Sequence, residues 1–558
     1  MPKLRGADIL AQSLQRGGVS KVFSLSGNHV MPVFDAAIDA KLDIIHVRHE
    51  GAATHMADAY GRLTGEPGVC LFTGGPGHAN AVGPLFTALG AESPVVMISG
   101  HAPLNALGID AFQELRQAEM AAPACKASWT IQSFDQIGAD VAKAMCIAMA
   151  GRPGPVHLSF PTNLMESTVT QDAGLVPDAG AFVAAAATLD ESIAGTVLDA
   201  LAAAKRPLII TGPTMGNGRG RAARESLQRV TGIPVLYMES PRGIADPALG
   251  AFAEVLARAD LVLMLGKKFD FTVQFGRAPA FDATSRFIQI DPDPEAIRRA
   301  TLAIDDRGRI RFATCADAIV SAETLIAMAK KRRMAPTAWK EDVQAAVRFR
   351  PESWTSIVSR EGAIHALDIG RALRAVIDRT PRATYVSDGG EASQWSQACV
   401  AEQAGARITN GPGGAIGGGV AFAIAAKVAR PDGPVLLTIG DGSFGFHAME
   451  YETAVRRNIP FVAIVANDAC WNAEYQIQLR TYGRDRAIGC EMLQSRYDQM
   501  VVALGGYGEL VTKASDLPVA LDRALASGRP ACLNVTIERI AAPTFSRLAG
   551  KPSVSTAS

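Results

Sequence analysis

The segment Val435-Leu-Leu-Thr-Ile-Gly-Asp-Gly-Ser443 ends an apolar run with a glycine-flanked aspartate, and it decides the fold prediction for this chain. A second apolar run, Phe461–Ala466, follows after a helix-length interval and ends in Asn467-Asp468. Two such runs separated by a helix are typical of a βαβ unit with parallel strands. The carboxyl ends of parallel strands meet at one edge of the sheet, where open α/β sheets bind ligands. We therefore expect Asp441 and Asp468 to lie at one site.

The same alternation of apolar runs and helix-length segments extends over the whole chain of 558 residues. The runs form three groups: residues 21–25, 69–72, 94–98 and 156–160; residues 207–210, 261–265 and 287–290; and residues 435–439, 461–465 and 531–535. This rhythm predicts an α/β chain of three doubly wound parallel-sheet domains. The predicted domains are residues 1–170, 190–330 and 360–545, with linkers at 167–190 and 330–360 and a flexible tail at 546–558.

The composition argues against several classes of partner. Lys plus Arg total 55, as do Asp plus Glu, and no block of like charge indicates a nucleic-acid or membrane surface. No apolar run is long enough to span a bilayer, and residues 1–18 are patterned as an amphipathic helix rather than a signal peptide. The eight cysteines are dispersed without a CxxC pair, which favours a reducing compartment. We expect a cytoplasmic protein that acts on a small molecule.

Asp441 and Asp468 are the candidate metal ligands. The glycines beside Asp441 allow the backbone to approach phosphate oxygens, and Ser443 can donate a hydrogen bond to one of them. Carboxylate oxygens from two neighbouring strand ends suit a hard cation such as Mg²⁺. A glycine-flanked aspartate by itself indicates only a turn, so the prediction depends on the preceding strand, the spacing and the second carboxylate together.

This arrangement resembles the cofactor signature of thiamine-diphosphate-dependent enzymes, in which GDG is followed one βαβ unit later by a pair of asparagines. In this chain Asp468 replaces the second asparagine. The resemblance implies that thiamine diphosphate binds through Mg²⁺, held by Asp441, the side chain of Asp468 and the main-chain carbonyl of Cys470. The replacement keeps an oxygen ligand and adds a negative charge, so the metal affinity is expected to differ from the family's.

Other segments resemble the remaining parts of the family's cofactor site. Glu50 resembles the glutamate that activates the cofactor by binding its aminopyrimidine ring, although a charge stabilised at a helix N-terminus is the alternative. Ile416 resembles the residue that holds the cofactor bent, and the carbonyl of Gly414 its acceptor for the 4′-amino group. For the glycine-rich runs, close helix–sheet packing is the alternative. The cofactor contacts implied by the resemblance are Gly74, Gly75, Asn80, Gly390, Glu391, Gly414, Ile416, Gly442, Ser443 and Trp471.

Residues 5–540 can be compared with the group of acetolactate synthases, oxalyl-CoA decarboxylases and 2-hydroxyacyl-CoA lyases, and they resemble the CoA-dependent branch most. His29 matches a histidine of benzaldehyde lyase, although a packing role is its alternative. Phe112-Gln113 stands where oxalyl-CoA decarboxylases have Tyr-Glu. The implied function is a 2-hydroxyacyl-CoA lyase that releases a carbonyl compound and formyl-CoA, with Glu50, His29, Gln113 and Phe112 as catalytic residues. Looser substrate candidates are Glu474, Glu491, Arg152 and Arg219.

Two other functions stay open from the sequence. Phe112-Gln113-Glu114 also fits an acetolactate synthase or another 2-oxoacid decarboxylase, whose substrate would be a 2-oxoacid instead of an acyl-CoA. A relative that binds the cofactor without turnover is the third possibility. Because Glu50 and the metal ligands belong to different predicted domains, and the family usually assembles its site between two subunits, we expect a homodimer as the minimum and a homotetramer as the fuller assembly.

Overall fold

The computed structural model describes residues 3–170, 174–304, 308–332, 338–400 and 404–545. Three parallel sheets, of six, five and six strands, follow one another along the chain and confirm the predicted α/β class. The chain forms two compact units, the first from residues 1–185, 420–430 and 447–459, and the second from residues 186–419, 431–446 and 460–558. The exact domain boundaries stay a prediction, and the predicted flexible tail 546–558 lies outside the described residues. Among the described helices, none is long and apolar enough to cross a membrane.

The first unit contains the N-terminal sheet. The strands of this unit are β1 (Leu4–Arg5), β2 (Lys21–Ser24), β3 (Asp43–His46), β4 (Gly68–Phe72), β5 (Val95–His101), β6 (Ala127–Thr130), β7 (Val156–Pro161) and β8 (Thr168–Val169). Strands β1 and β8 form a separate two-stranded sheet. The helices in this part of the chain are α1 (Gly6–Arg16), α2 (Met31–Asp39), α3 (Glu50–Thr64), α4 (Pro76–Gly90), α5 (Gln117–Ala121), α6 (Ile137–Met149) and α7 (Thr162–Glu166). The N-terminal six-stranded sheet has the order β3-β2-β4-β5-β7-β6. The amphipathic N-terminal segment forms α1, as predicted, and buries Ile9, Leu10 and Leu14.

The second unit begins with the central five-stranded sheet, of order β10-β9-β11-β12-β13. Its strands are β9 (Pro207–Thr211), β10 (Val235–Tyr237), β11 (Leu261–Leu265), β12 (Arg286–Asp291) and β13 (Ile310–Cys315). Its helices are α8 (Glu191–Ala203), α9 (Gly218–Thr231), α10 (Phe252–Leu256), α11 (Pro294–Ile304), α12 (Ala318–Ala329) and α13 (Ala338–Arg348). Successive residues of β9 pack into different hydrophobic cores, Leu208 on one face of the central sheet and Ile209 on the other. Because both faces of this sheet are buried, its strands are continuously apolar.

The C-terminal six-stranded sheet has the order β15-β14-β16-β17-β19-β18 and completes the three-sheet architecture. Its strands are β14 (Thr384–Ser387), β15 (Ala406–Ile408), β16 (Val435–Gly440), β17 (Val462–Asn467), β18 (Tyr507–Val511) and β19 (Ala531–Thr536). The helices of this part of the chain are α14 (Ala366–Arg379), α15 (Glu391–Val400), α16 (Gly419–Ala429), α17 (Asp441–His447), α18 (Glu450–Arg456), α19 (Asn472–Thr481), α20 (Tyr497–Ala503) and α21 (Leu517–Ala526).

The prediction of plain linkers was wrong in part. Residues 338–348, inside the predicted linker 330–360, form helix α13. This helix buries Trp339 and Val343 in the core of the second unit, and Trp339 Nε1 donates a hydrogen bond of 2.9 Å to the carbonyl of Pro207. Its buried residues recur at helical spacing, but the basic segment that precedes it favoured a linker. In the other predicted linker, 167–190, β8 pairs antiparallel with β1.

The topology places a ligand crevice in the C-terminal sheet. The chain passes from β14 to β15 on one side and then to β16 on the other side of β14. The strand order therefore reverses beside β14, and such switch points are where open α/β sheets bind ligands. Two short helices, α17 and α18, connect β16 with β17, where the sequence predicted one helix.

Candidate active site

A cavity opens at the carboxyl ends of β14, β16 and β17. Asp441 begins α17 directly after β16, and Asp468 follows β17. The cavity is lined by all three predicted metal ligands and six predicted cofactor contacts: Asp441, Asp468, Cys470, Gly390, Glu391, Ile416, Gly442, Ser443 and Trp471. The predicted substrate residue Glu474 also lines it, whereas Gly414 lies outside the described lining. The structure therefore brings together most of the residues that the sequence assigned to this end of the cofactor.

Asp441 and Asp468 disfavour each other's charge. Burial raises the pKa of Asp441 to about 6. The pKa of Asp468 is raised to about 8, first by burial and then by the negative charge of Asp441. Oδ2 of Asp441 is buried and has no hydrogen-bond partner among the described residues. A cation bound by both carboxylates would stabilise their ionised forms, so this pair suits a hard divalent cation.

Two carboxylates do not complete a coordination shell. Within the described ranges, no three His, Cys, Asp or Glu side chains converge on a metal position. Mg²⁺, however, is commonly bound by one or two carboxylates together with water and substrate phosphate oxygens. Main-chain oxygens such as the carbonyl of Cys470, which also lines the cavity, can supply a further ligand. The residues present thus fit a Mg²⁺–diphosphate group.

Three loops approach so closely at this cavity that side chains would not fit between them. A Cβ on Gly389 would lie 2.2 Å from Ser443 Oγ and 2.8 Å from Ile416. A Cβ on Gly442 would lie 2.6 Å from the ring of Trp471. Since real Cβ atoms do not approach other atoms to these distances, glycine is required at both positions. Gly389 and Gly442 therefore allow Ser443, Ile416 and Trp471 to pack directly against the main chain.

Asp388 joins two of these loops. Its carboxylate accepts hydrogen bonds from the main-chain N–H groups of Gly389 (2.6 Å), Gly417 (3.0 Å) and Gly419 (2.7 Å). Burial raises its pKa to about 6, while these N–H groups act in the opposite direction. This role of Asp388 is not evident from the sequence alone. The neighbouring Glu391 is also buried, and burial raises its pKa.

Arg539 was missed by the sequence reasoning. It donates hydrogen bonds to the carbonyls of Asp468 (2.9 Å) and Ala469 (3.1 Å) and pairs with Glu491 at 3.0 Å. The main chain that carries the second carboxylate is therefore held by a residue 71 positions away. Glu491, predicted as a substrate contact, is exposed and outside the cavity lining, and its observed contact is with Arg539.

In the first unit, Glu50 lies at the first turn of α3. It is buried, and its Oε2 accepts a hydrogen bond of 3.1 Å from the side-chain amide of Asn80 on α4. A Cβ on Gly77 would come within 3.3 Å of Glu50 Oε1, so the start of α4 covers the carboxylate closely. The structure thus brings Glu50 and Asn80 together.

Glu450 supports the segment that leads into Glu50. Oε1 of Glu450 accepts hydrogen bonds from the main-chain N–H groups of Arg48 (2.9 Å) and His49 (3.0 Å). Its Oε2 accepts a hydrogen bond of 2.6 Å from Thr453. Glu450 is buried, and burial raises its pKa. Since its partners lie 401 and 402 positions away, no local sequence signal indicates this contact.

His29 lies beside the glycine-rich loop that precedes α4. Its Nδ1 lies 2.9 Å from Thr73 Oγ1 and 3.4 Å from the main-chain nitrogen of Gly74. The Thr73 hydroxyl can accept a hydrogen bond from Nδ1–H, and in this tautomer the lone pair of Nε2 can accept a proton. Burial and the nearby His101 lower the pKa of His29. The imidazole is therefore neutral at pH 7 and can accept or donate a proton.

The predicted catalytic pair Phe112-Gln113 contacts the same loop. The ring of Phe112 stacks on His29 with centroids 6.1 Å apart. Gln113 has a left-handed backbone, with φ of 56°, and a Cβ on Gly75 would lie 2.7 Å from its carbonyl oxygen. His29, Phe112, Gln113 and Gly75 thus lie in one cluster.

Gln117, whose role was not predicted from the sequence, holds the glycine-rich loop at Gly75. Its Oε1 accepts a hydrogen bond of 2.9 Å from the N–H of Gly75. Its Nε2 donates to the carbonyl of Gly100 (3.1 Å) and to the hydroxyls of Ser99 (3.1 Å) and Ser159 (2.9 Å). Because the amide has partners at both ends, Gln117 sets the position of Gly75 and, through it, of Gln113.

The two arginines suggested as substrate contacts are already paired. Arg152 forms an almost buried ion pair with Glu92 in the first unit. Arg219 forms a bidentate pair with Glu323, at 2.7 and 2.5 Å, on the surface of the second unit. Arg219 is absent from the described lining of the cavity around Asp441. A structural role accounts for both, and their contact with substrate stays a prediction.

Three family models match the chain. The N-terminal thiamine pyrophosphate binding domain of the thiamine pyrophosphate enzymes matches residues 4–120, the central domain of these enzymes matches residues 195–314, and their C-terminal binding domain matches residues 388–535. The first range holds His29, Glu50, Asn80 and Gln113, and the last holds the cavity residues from Gly390 to Glu474.

Several characterised or named relatives match over nearly their whole length. A probable acetolactate synthase of Mycobacterium bovis is 31% identical over 551 residues, which cover 97% of each chain. A 2-hydroxyacyl-CoA lyase of Arabidopsis thaliana is 27% identical over 592 residues, covering 99% of this chain and 98% of the relative. An oxalyl-CoA decarboxylase of Escherichia coli is 27% identical over 550 residues, covering 96% and 95%.

Proposed function

We propose a reaction from the premise that this chain belongs to the thiamine pyrophosphate enzymes, in the group that includes acetolactate synthases, 2-hydroxyacyl-CoA lyases and oxalyl-CoA decarboxylases. The proposed reaction is cleavage of a 2-hydroxyacyl-CoA into a carbonyl compound and formyl-CoA, together with the reverse condensation. Thiamine diphosphate supplies a nucleophilic carbon for the thioester carbonyl and then accepts the electrons released by carbon–carbon cleavage. The assembly proposed is at least a homodimer, with a homotetramer as its fuller form.

Each end of the cofactor has proposed partners in the chain. Asp441, Asp468 and the carbonyl of Cys470 bind Mg²⁺, and Ser443 donates to the diphosphate. Glu50, held by Asn80 at 3.1 Å, binds the aminopyrimidine ring and exchanges a proton with it. These assignments are supported by the orphaned Oδ2 of Asp441 and by the burial of Glu50.

The observation that favours a lyase is the neutral imidazole of His29 next to Gln113. Cleavage of a 2-hydroxyacyl group requires removal of the hydroxyl proton, whereas decarboxylation of a 2-oxoacid releases CO₂ without a base. His29 has a pKa lowered by burial, so it is unprotonated and able to accept that proton. Gln113 can hydrogen-bond the same hydroxyl or the product carbonyl but cannot titrate near neutral pH.

The competing function is acetolactate synthesis from pyruvate. It is favoured by the 31% identity to a probable acetolactate synthase over 97% of the chain and by Phe112-Gln113-Glu114. The decisive assay supplies the purified protein, with thiamine diphosphate and Mg²⁺, separately with 2-hydroxyisobutyryl-CoA and with pyruvate. Formyl-CoA and acetone are expected from the first, and mass spectrometry detects both. Acetolactate as the sole product would assign the competing function, and no turnover of either substrate would favour a non-catalytic relative.

A further inference from the structure

A second cavity lies along β10, the edge strand of the central sheet, in the second unit. It has a volume of about 340 Å³, which is within the range of about 300–1,000 Å³ typical of small-molecule sites. Its walls come from β10, from α9 and α13, and from Arg407 on β15. It shares no lining residue with the cavity around Asp441. A molecule bound here would therefore occupy a separate site.

Four arginines line this cavity, and two of them have their charge matched. Arg221 pairs with Glu225 at 2.7 Å and donates to the carbonyl of Ala404 at 3.0 Å. Arg407 pairs with Asp246 at 3.1 Å. Both side chains thus have local roles in fixing the cavity wall.

The other two arginines, Arg224 and Arg348, have no carboxylate within ion-pair distance in the described part of the chain. The guanidinium of Arg224 stacks on the ring of Tyr237, 5.0 Å from its centroid, and Arg348 contacts Gln344 at 3.3 Å. The nearby Glu239 is already engaged by the hydroxyl of Tyr237 and by the N–H of Thr409. The cavity therefore carries an unmatched positive charge.

The positive charge of Arg224 is destabilised by its burial. Burial lowers the pKa of Arg224, since a guanidinium loses hydration when it is enclosed, yet arginine stays protonated under all ordinary conditions. The lining of the cavity also includes the apolar side chains of Leu249, Val343 and Val347. An oxyanion would restore the lost interaction of the guanidinium, and the apolar wall would accept a hydrocarbon part of the same molecule.

We propose that this cavity is a binding site for a small amphipathic oxyanion, a phosphate or carboxylate attached to an apolar group, with its charged end on Arg224. The oxyanion makes hydrogen bonds with the guanidinium in the plane that the stacking on Tyr237 fixes. The side chain of Arg348 is exposed to solvent, so it attracts the oxyanion by its charge without enclosing it. The site requires neither the cofactor nor the proposed lyase reaction, so it can be tested independently of both.

Isothermal titration of the full-length protein with phenyl phosphate, benzoate and inorganic phosphate tests the proposal. Phenyl phosphate or benzoate should bind the wild type, and the tighter of the two identifies the preferred oxyanion. Inorganic phosphate should bind at least about tenfold more weakly than phenyl phosphate, because it cannot use the apolar wall. Equal binding of these two would overturn the assignment of that wall.

Two variants and one control locate the site. Arg224→Met should weaken binding at least about tenfold, in line with the loss of a charge-assisted hydrogen bond. Arg348→Met, at an exposed position that leaves the core intact, should weaken it by a smaller factor of about two to five. Arg229→Met, on the same helix but outside the cavity lining, should bind like the wild type. The proposal fails if neither organic anion binds, or if both arginine variants bind as tightly as the control.

Discussion

Asn80 donates a hydrogen bond of 3.1 Å from its side-chain amide to Oε2 of Glu50. Glu50 begins α3 and Asn80 lies in the second turn of α4, and both of these helices of the first unit start with small residues that allow this contact. A carboxylate that is buried, oriented by an amide and covered by Gly77 has a fixed direction. Such an arrangement suits a group that must exchange one proton at one ring nitrogen.

Glu50→Gln should reduce turnover by at least about 100-fold, because the amide cannot exchange the proton that activation of the cofactor requires. The shape of the side chain is kept, so Mg²⁺-dependent binding of thiamine diphosphate, measured by titration calorimetry, should stay within a small factor of wild type. Glu66→Gln, an exposed position after α3, serves as the control and should be fully active. Turnover at the wild-type rate in Glu50→Gln would remove Glu50 from the mechanism.

Glu450→Ala should destabilise the first unit and reduce activity together. Loss of the carboxylate leaves the N–H groups of Arg48 and His49 without their acceptor, and because these hydrogen bonds are only partly buried, each loss should cost about 1 kcal/mol. Denaturant unfolding measures the stability, and kcat measures the displacement of Glu50.

Glu450→Gln keeps an acceptor oxygen and should recover most of both quantities. Asp39→Asn, at an exposed position at the end of α2, should change neither. Activity lost equally in the Gln and Ala variants of Glu450 would contradict a role through these two hydrogen bonds.

The affinity for Mg²⁺ should rise with pH between about 6 and 8. The pKa of Asp441 is about 6 and that of Asp468 about 8, so at pH 6 the metal must displace a proton from Asp468. Displacement of one proton makes the affinity rise about tenfold per pH unit until the carboxylate is ionised. Titration of Mg²⁺ at several pH values, with thiamine diphosphate present, measures this slope.

Asp468→Asn removes the displaced proton and should flatten the pH dependence of Mg²⁺ binding. The metal-free protein provides a second test. Because the folded-state pKa of Asp468 is raised above its ordinary value, ionisation of Asp468 destabilises the folded state as the pH rises from about 4 to 8. The variant should therefore lose less thermal stability than the wild type over that interval. Equal slopes in both proteins would contradict the raised pKa.

The parts of the site that the sequence predicted share a local origin. Asp441 and Asp468 each follow a continuous apolar strand, and parallel strands necessarily bring their carboxyl ends to one edge. Glu50 likewise begins a helix shortly after the end of β3. In these cases a pattern of a few residues determines both the element and the position of the side chain at its end.

The residues that were missed depend on contacts between distant parts of the chain. Arg539 binds the carbonyl of Asp468, and Glu450 binds the main chain before Glu50. In the sequence alone such charged residues resemble ordinary surface charges, because nothing local indicates burial. Helix α13 was missed although its buried residues recur at helical spacing, because the basic segment that precedes it favoured a linker over a packed helix.

His29→Asn should lower the rate of carbon–carbon cleavage by about 100-fold, the usual contribution of a positioned general base. In the wild type the pKa of His29 is lowered, so the imidazole is neutral above pH 6.5. Titration of His29 should therefore cause no change in activity above that pH. At lower pH protonation of His29 should reduce the rate, and this acid limb should vanish in the variant.

Thr73→Val offers a matched test of the same base. The hydroxyl of Thr73, 2.9 Å from Nδ1, stabilises the protonated imidazole more than the neutral one when it accepts from Nδ1–H. Its loss should lower the pKa of His29 and move the acid limb to lower pH, with little change in the plateau rate. Rate profiles measured from pH 5 to 8 distinguish this shift from a structural defect, which would lower the plateau and leave the limb in place. An unchanged acid limb in both variants would exclude His29 as the proton acceptor.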